Sequence, residues 1–143
     1  MSFENILVTP LRRIEVVGGD VLHAMSNGDE GFSGFGEAYF SSIAFNTVKA
    51  WKRHLRMTMN LLVPAGQVRF VFHVRDLNGA AHFQIQDIGE GNYARITVPP
   101  GIWFGFKGMA TQQSLILNIA SIPHDPLEVE RIGSSEINYS WEN

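Results

Sequence analysis

No stretch of this sequence keeps apolar residues at helical spacing over three turns. They come instead in short alternating runs, rich in Val, Ile and Phe, and broken by glycine and proline. Gln67–Val74, Tyr93–Val98 and Ser114–Ala120 are the clearest of these. Ile6–Val17 (interrupted at Pro10), Val21–Met25, Glu37–Phe45, Phe83–Ile88 and Ile102–Phe106 read as further strands. Asp76–Gly79, Gly89–Asn92 and Pro99–Gly101 read as turns. Strands recurring at intervals of about ten residues predict an all-β sandwich or barrel, of jelly-roll type. A chain of 143 residues fits one domain, residues 1–143, with a single core. One short helical turn is expected where Asp125 precedes Pro126, with Pro at the first helical position. The tail Glu136–Trp141 is apolar and strand-like.

The segment Val48–Leu61 reads as one strand with two unlike faces. Trp51, Leu55, Met57, Met59 and Leu61 fall on one, with Arg53 among them, and this is expected to be the apolar layer. Lys52, His54, Arg56, Thr58 and Asn60 fall on the other, expected to be wet. Polar side chains alternating on a strand often simply face solvent. Here, however, four of the 11 Lys and Arg lie between Lys49 and Arg56, in a chain of net charge -3. A local cationic stripe on an acidic chain points to an anionic ligand. His54 between Lys52 and Arg56 is expected to have a lowered pKa, because like charges disfavour the imidazolium. A neutral imidazole beside fixed cations can act as a base toward an anionic substrate.

Composition narrows the remaining classes. The acidic balance argues against non-specific nucleic-acid binding. No apolar run approaches the roughly 18 residues of a membrane span. The start Met1–Asn5 shows no signal peptide, so a cytoplasmic location is expected. With no cysteine there is no disulfide framework and no thiolate chemistry. Charged residues at 17% leave much neutral surface, which favours oligomerisation. The glycine-rich stretch Ser26–Gly36 resembles a nucleotide-binding loop, but a strand follows it where a dinucleotide fingerprint needs a helix.

At Pro99-Pro100-Gly101-Ile102-Trp103-Phe104-Gly105-Phe106 the chain resembles the cupin superfamily, and within it the dTDP-4-dehydrorhamnose 3,5-epimerase family, which has a Pro-x-Gly turn before a strand ending His-Gly-Phe. Asp29-Glu30-Gly31-Phe32 is similar to that family's acidic–Arg–Gly–Phe segment, without the Arg. Lys49–His54 falls where the family reads Arg-Gly-x-His-x-Gln, and Asp125-Pro126 with Glu130-Arg131 resembles its acidic, Pro-containing segment. Ile137–Trp141 loosely resembles its Ile-x-Trp ending. Trp51-Lys52-Arg53-His54 and Ser121–Pro126 also resemble the sugar ketoisomerases, whose strand reads Trp-His-x-His.

The resemblance implies a cupin-type jelly-roll β-barrel, a homodimer, a nucleotide-sugar ligand in the barrel mouth, and neither cofactor nor metal. The residues agree on the metal. A metal-binding cupin uses a His-x-His pair and a later His, and here those positions hold Lys52, His54 and Phe104. The family's catalytic His falls on Lys52, its Tyr near Asn118, its later His on Phe104 and its C-terminal Asp beyond Asn143. The function implied is an isomerase acting on a nucleotide-linked 4-keto-deoxysugar in polysaccharide biosynthesis. His54 is the expected base, Tyr39 or Tyr93 could supply a phenol, and Lys52, Arg56, Arg69, Phe104, Asn118 and Phe32 are the expected substrate-binding residues. The alternative is a catalytically inactive cupin that binds a nucleotide sugar or carbohydrate. A purely structural partner with a solvated stripe is the third reading. Trp51 is expected to fill a core rather than to stack a ligand.

Overall fold

The computed structural model describes residues 5–142. The stretch Met1–Glu4, read above for a signal peptide, lies outside them. Two five-stranded antiparallel sheets make the barrel. The first holds β1 (Leu7–Pro10), β4 (Glu37–Ile43), β6 (Met59–Ala65), β9 (Ala94–Val98) and β11 (Ser114–Ala120), in the spatial order β1-β9-β6-β11-β4. The second holds β5 (Val48–His54), β7 (Gln67–Arg75), β8 (Ala81–Gly89), β10 (Trp103–Gly108) and β12 (Val129–Arg131), in the order β12-β5-β10-β7-β8. A separate hairpin joins β2 (Arg13–Ile14) to β3 (Val21–Leu22). This is the expected all-β jelly roll. Among the described residues no helix is long and apolar enough to cross a membrane.

The core forms because the strands alternate. Val68, Phe70, Phe72 and Val74 of β7 point inward and are all but inaccessible to solvent. They meet Met59, Leu61 and Val63 of β6, Ile96 and Val98 of β9, and Phe104 of β10. Burying each such side chain contributes about 1.5–3 kcal/mol. β6 runs on through Pro64 to Ala65. The register with β11 shifts between Leu115 and Leu117, beside that proline.

Val48–Leu61 is not one strand. β5 ends at His54, the chain crosses over Leu55–Thr58, and β6 begins in the opposite sheet. The two faces of β5 are also reversed. Lys52 and His54 face the barrel interior, while Trp51 faces outward. Leu55, expected in the apolar layer, is exposed. Alternation sorted the side chains of β5 correctly but could not say which side was wet.

Trp51 is nevertheless 1% exposed, because the C-terminal residues cover it. The expected tail strand does not form; the segment instead packs through its rings. Trp141 stands 5.5 Å from Trp51, and Tyr139 4.9 Å from both Phe83 and Trp141. The Trp51 Nε1–H donates to the Ser134 carbonyl at 3.2 Å, and Lys107 Nζ donates to the Trp141 carbonyl at 2.7 Å. Gly105 lets Trp141 lie close, since a Cβ there would stand 2.6 Å from Ala50 Cβ and 3.0 Å from the Trp141 ring. Trp51→Ala is expected to cost about 3–5 kcal/mol in urea unfolding and to expose the segment after Ser134 to limited proteolysis. An unchanged cleavage pattern would show that the tail is held without this ring.

Candidate functional site

The site begins where β5 ends. Asp125 caps a single 3₁₀ turn, Pro126–Glu128, its carboxylate accepting from the Leu127 N–H at 3.0 Å, with Pro126 at the turn's start as expected. The turn throws Leu127 out, 88% exposed, and drives Glu128 in, 3% exposed. Glu128 Oε1 accepts from the backbone N–H groups of Arg56 and Met57, both at 3.0 Å. Its Oε2 accepts from His54 Nδ1 at 2.5 Å. The carboxylate thus takes the N–H groups that a continuing strand would have paired, and so marks the crossover from β5 to β6.

This geometry sets the tautomer of His54. With Nδ1–H donated to Glu128, Nε2 carries the lone pair. Nε2 is buried and has no hydrogen-bond partner. Burial pushes the pKa of His54 down; the Glu128 carboxylate opposes this, and Lys52 and Arg131 add to it. The expected direction therefore holds, but burial is its main cause, and Arg56 takes no part. Burial alone would raise Glu128, but His54 and the two backbone N–H groups outweigh it and hold the carboxyl below its usual range.

Two residues before His54, Lys52 stands on the same face of β5. It lies opposite Phe104 of β10, with Nζ 5.8 Å from that ring's centroid. Lys52 and Phe104 line a small inner cavity of about 50 Å³ with Tyr39, Phe106, Ile116 and Asn118. A vestibule of about 320 Å³ shares Lys52, Phe104 and Phe106 and adds Lys49 and Arg131. None of these three cations is within ion-pair distance of a carboxylate among the described residues. Burial pushes the Lys52 ammonium below its ordinary range; Arg131 adds to the shift, Glu128 opposes it, and Lys49 contributes in the same sense as Arg131. Across the cavity, Tyr39 of β4 pairs in register with Asn118 of β11. Asn118 Nδ2 donates to the Tyr39 hydroxyl at 3.0 Å, and Asn118 Oδ1 is buried without a partner.

Of the expected site residues, the structure gathers Lys52, His54, Phe104 and Asn118 about the barrel interior. It places three elsewhere. Arg56 lies beyond the end of β5, 58% exposed, and pairs with Asp125 at 2.9 Å. Arg69 is on the outer face of β7, with Nε 2.8 Å from Asp87 Oδ1. Phe32 belongs to a loop held on the outer face of β6 and β9. There Asn60 Nδ2 donates to the Gly31 carbonyl at 3.0 Å, and Arg95 reaches the Ala24 carbonyl at 2.6 Å. Tyr93 is also remote, its hydroxyl donating to the His23 carbonyl. Glu128, Lys49 and Arg131 were not foreseen as site residues. For Glu128 the available signal was the Asp125-Pro126 start, which fixes where the turn must end. Among the described residues no three His, Asp or Glu side chains group to hold a metal ion.

The sign of the pH dependence follows from these shifts. His54 has a folded pKa below 6.5, so the unfolded chain binds its proton first as pH falls. Glu128, also lowered, acts in the same sense further down the scale. Stability is expected to decline on acidification below about 6.5, and His54→Gln is expected to flatten the upper part of that decline. Urea midpoints measured between pH 7 and 5 check this; parallel curves for both proteins would count against a buried neutral His54.

Comparison with protein-family models found no match, and comparison with curated proteins found none either. Solved structures do match. The dTDP-sugar isomerase of Desulfovibrio desulfuricans G20 is 34% identical, with a TM-score of 0.89 over 95% of this chain and 90% of that one. The dTDP-4-dehydrorhamnose 3,5-epimerase of Sulfolobus tokodaii is 19% identical, with a TM-score of 0.77 over 96% and 85%. The sugar 3,4-ketoisomerase QdtA of Thermoanaerobacterium thermosaccharolyticum, solved with TDP, is 14% identical, with a TM-score of 0.73 over 90% and 88%. With a relative of that identity matched along nearly the whole of both chains, this chain belongs to the family of cupins that holds the dTDP-sugar isomerases and the dTDP-4-dehydrorhamnose 3,5-epimerases.

Proposed function

We propose that this chain is a metal-independent epimerase or isomerase of a nucleotide-linked 4-keto-deoxysugar, cytoplasmic and serving polysaccharide biosynthesis, with His54 as the proton-abstracting base. The observation that carries the reading is the buried His54 Nε2, unpartnered and aimed by a glutamate that fixes the opposite nitrogen. A base oriented by a carboxylate through its other ring nitrogen is the arrangement that proton abstraction needs. The relatives' activities and the TDP bound to one of them support the substrate class.

Removing a proton beside a ketone leaves negative charge on the keto oxygen. Lys52, on the base's own face of β5, is the cation assigned to that oxygen. The Tyr39 hydroxyl already accepts from Asn118, so its own proton is free to be donated from the first sheet. Lys49 and Arg131, at the vestibule, suit the phosphate oxygens. The phosphate role thus passes to them from Arg56 and Arg69, which already pair with Asp125 and Asp87. A homodimer is part of the proposal. Phe35, Phe40 and Phe45, on and flanking the edge strand β4, are 65%, 60% and 48% exposed, an apolar surface suited to a second copy.

The test is deuterium wash-in from heavy water into dTDP-4-keto-6-deoxyglucose, read by NMR. Wild-type protein is expected to exchange a proton beside the carbonyl, and His54→Gln to lose about 10²–10⁴-fold of that rate. The variant should keep its thermal shift with dTDP. Exchange at the wild-type rate in His54→Gln would place the base elsewhere. A dTDP shift with no exchange in wild type would make the chain a binder only. Arg69→Ala is expected to leave the dTDP shift unchanged, since its guanidinium is on the outer face with Asp87.

A further inference from the structure

Tyr39 of β4 and Asn118 of β11 line the inner cavity from the first sheet, and Lys52 of β5 lines it from the second. Ser41 apart, the other side chains of the cavity wall are apolar. Asn118 is 3% exposed and Tyr39 37%, so the amide is fixed in the wall while the tyrosine is reached by solvent. Asn118 Nδ2 donates to the Tyr39 hydroxyl at 3.0 Å, and Met57 Sδ lies 3.9 Å from the same nitrogen. The amide N–H fills one lone pair of the hydroxyl, so the hydroxyl's own hydrogen must point away from Asn118. Among the described residues that hydrogen has no acceptor.

We infer that Tyr39 delivers the proton that completes an epimerisation, and that Asn118 is the positioning residue that makes it a donor. The inference rests on the keto-sugar reading above and assigns its second proton transfer. That reading places proton removal and Lys52 on β5, in the second sheet. A proton returned from β4 comes from the first sheet, reaches the opposite face of the carbon and inverts it. The Tyr39 O–H bond breaks as the new C–H bond forms. The enolate electrons make that bond, and the C=O bond is restored. Negative charge passes from the keto oxygen to the tyrosine oxygen, and nothing is oxidised or reduced. The Asn118 N–H already points at that oxygen, so its hydrogen bond strengthens as the phenolate forms. Water reaching Tyr39 then returns its proton, and the proton removed at the start leaves to solvent.

The experiment incubates the full chain with dTDP-4-keto-6-deoxyglucose in heavy water. NMR reads deuterium in the recovered substrate and in the epimer separately, and thermal shift with dTDP reports folding and binding. Wild-type protein is expected to give deuterated epimer. Tyr39→Phe is expected to keep the dTDP shift and the wash-in into recovered substrate, because the base returns a deuteron to the face it came from. The same variant is expected to lose epimer formation about 10²–10⁴-fold. Asn118→Leu, close in shape but without the donor, is expected to lower epimer formation about 10–100-fold at unchanged wash-in. Asn118→Asp, which only accepts, is expected to act in the same direction by taking up the Tyr39 hydrogen. A residue with a packing role alone would lower wash-in and epimer together. Such a parallel loss, or epimer at the wild-type rate in Tyr39→Phe, would overturn the inference and leave the isomerase reading standing. Wash-in with no epimer from wild type would do the same. No wash-in from wild type would sink both.

Discussion

The buried carboxylate of Glu128 is the interaction on which the rest of this structure depends. A carboxylate removed from water must be fully hydrogen-bonded, or its desolvation costs several kcal/mol. Here it takes two backbone N–H groups and an imidazole N–H. The two backbone bonds fix the crossover from one sheet to the other. The third fixes a tautomer. One side chain therefore couples the topology of the barrel to the chemistry available inside it, and neither could be changed without the other. The 3₁₀ turn that delivers Glu128 gains its order locally, from the Asp125 cap and from Pro126, so little else need be arranged to bring the acid in.

The two faces of β5 do different work. Outward, Trp51 is locked under Tyr139 and Trp141, and Trp51 and Lys107 also hold the C-terminal backbone. Inward, His54 is buried and Lys52 partly so. A strand packed on both sides has little freedom to twist or slip, since a slip of one residue would exchange the ring for the bases. The aromatic cluster is thus a positioning element for the site, although none of its rings need meet a ligand.

That double covering also explains what could be read from the sequence and what could not. β7, β10 and β11 were legible because period and residue type agreed, and Phe70, Phe72 and Phe104 all lie in the core. The two-faced pattern of Val48–His54 was legible as a pattern. Its orientation was not, because a polar row inside a barrel looks the same as a polar row in water. The change of sheet after His54 was hidden because Met57, Met59 and Leu61 continue the alternation across the break. Its cause, Glu128, lies 74 residues from His54 in sequence. Arg56 and Arg69 were misplaced because a charge count does not reveal that each already has a carboxylate partner in Asp125 and Asp87.

The charges of the interior are coupled, and this restricts how the site can operate. Lys52 opposes protonation of His54, while Glu128 favours the charged form of both. A proton arriving on His54 is stabilised by the carboxylate at 2.5 Å and at the same time makes an ammonium on Lys52 costlier. Arg131 and Lys49, which line the vestibule with Lys52, add to that cost. The inner cavity shares Lys52, Phe104 and Phe106 with the vestibule, so a change in the charge of Lys52 is felt in both.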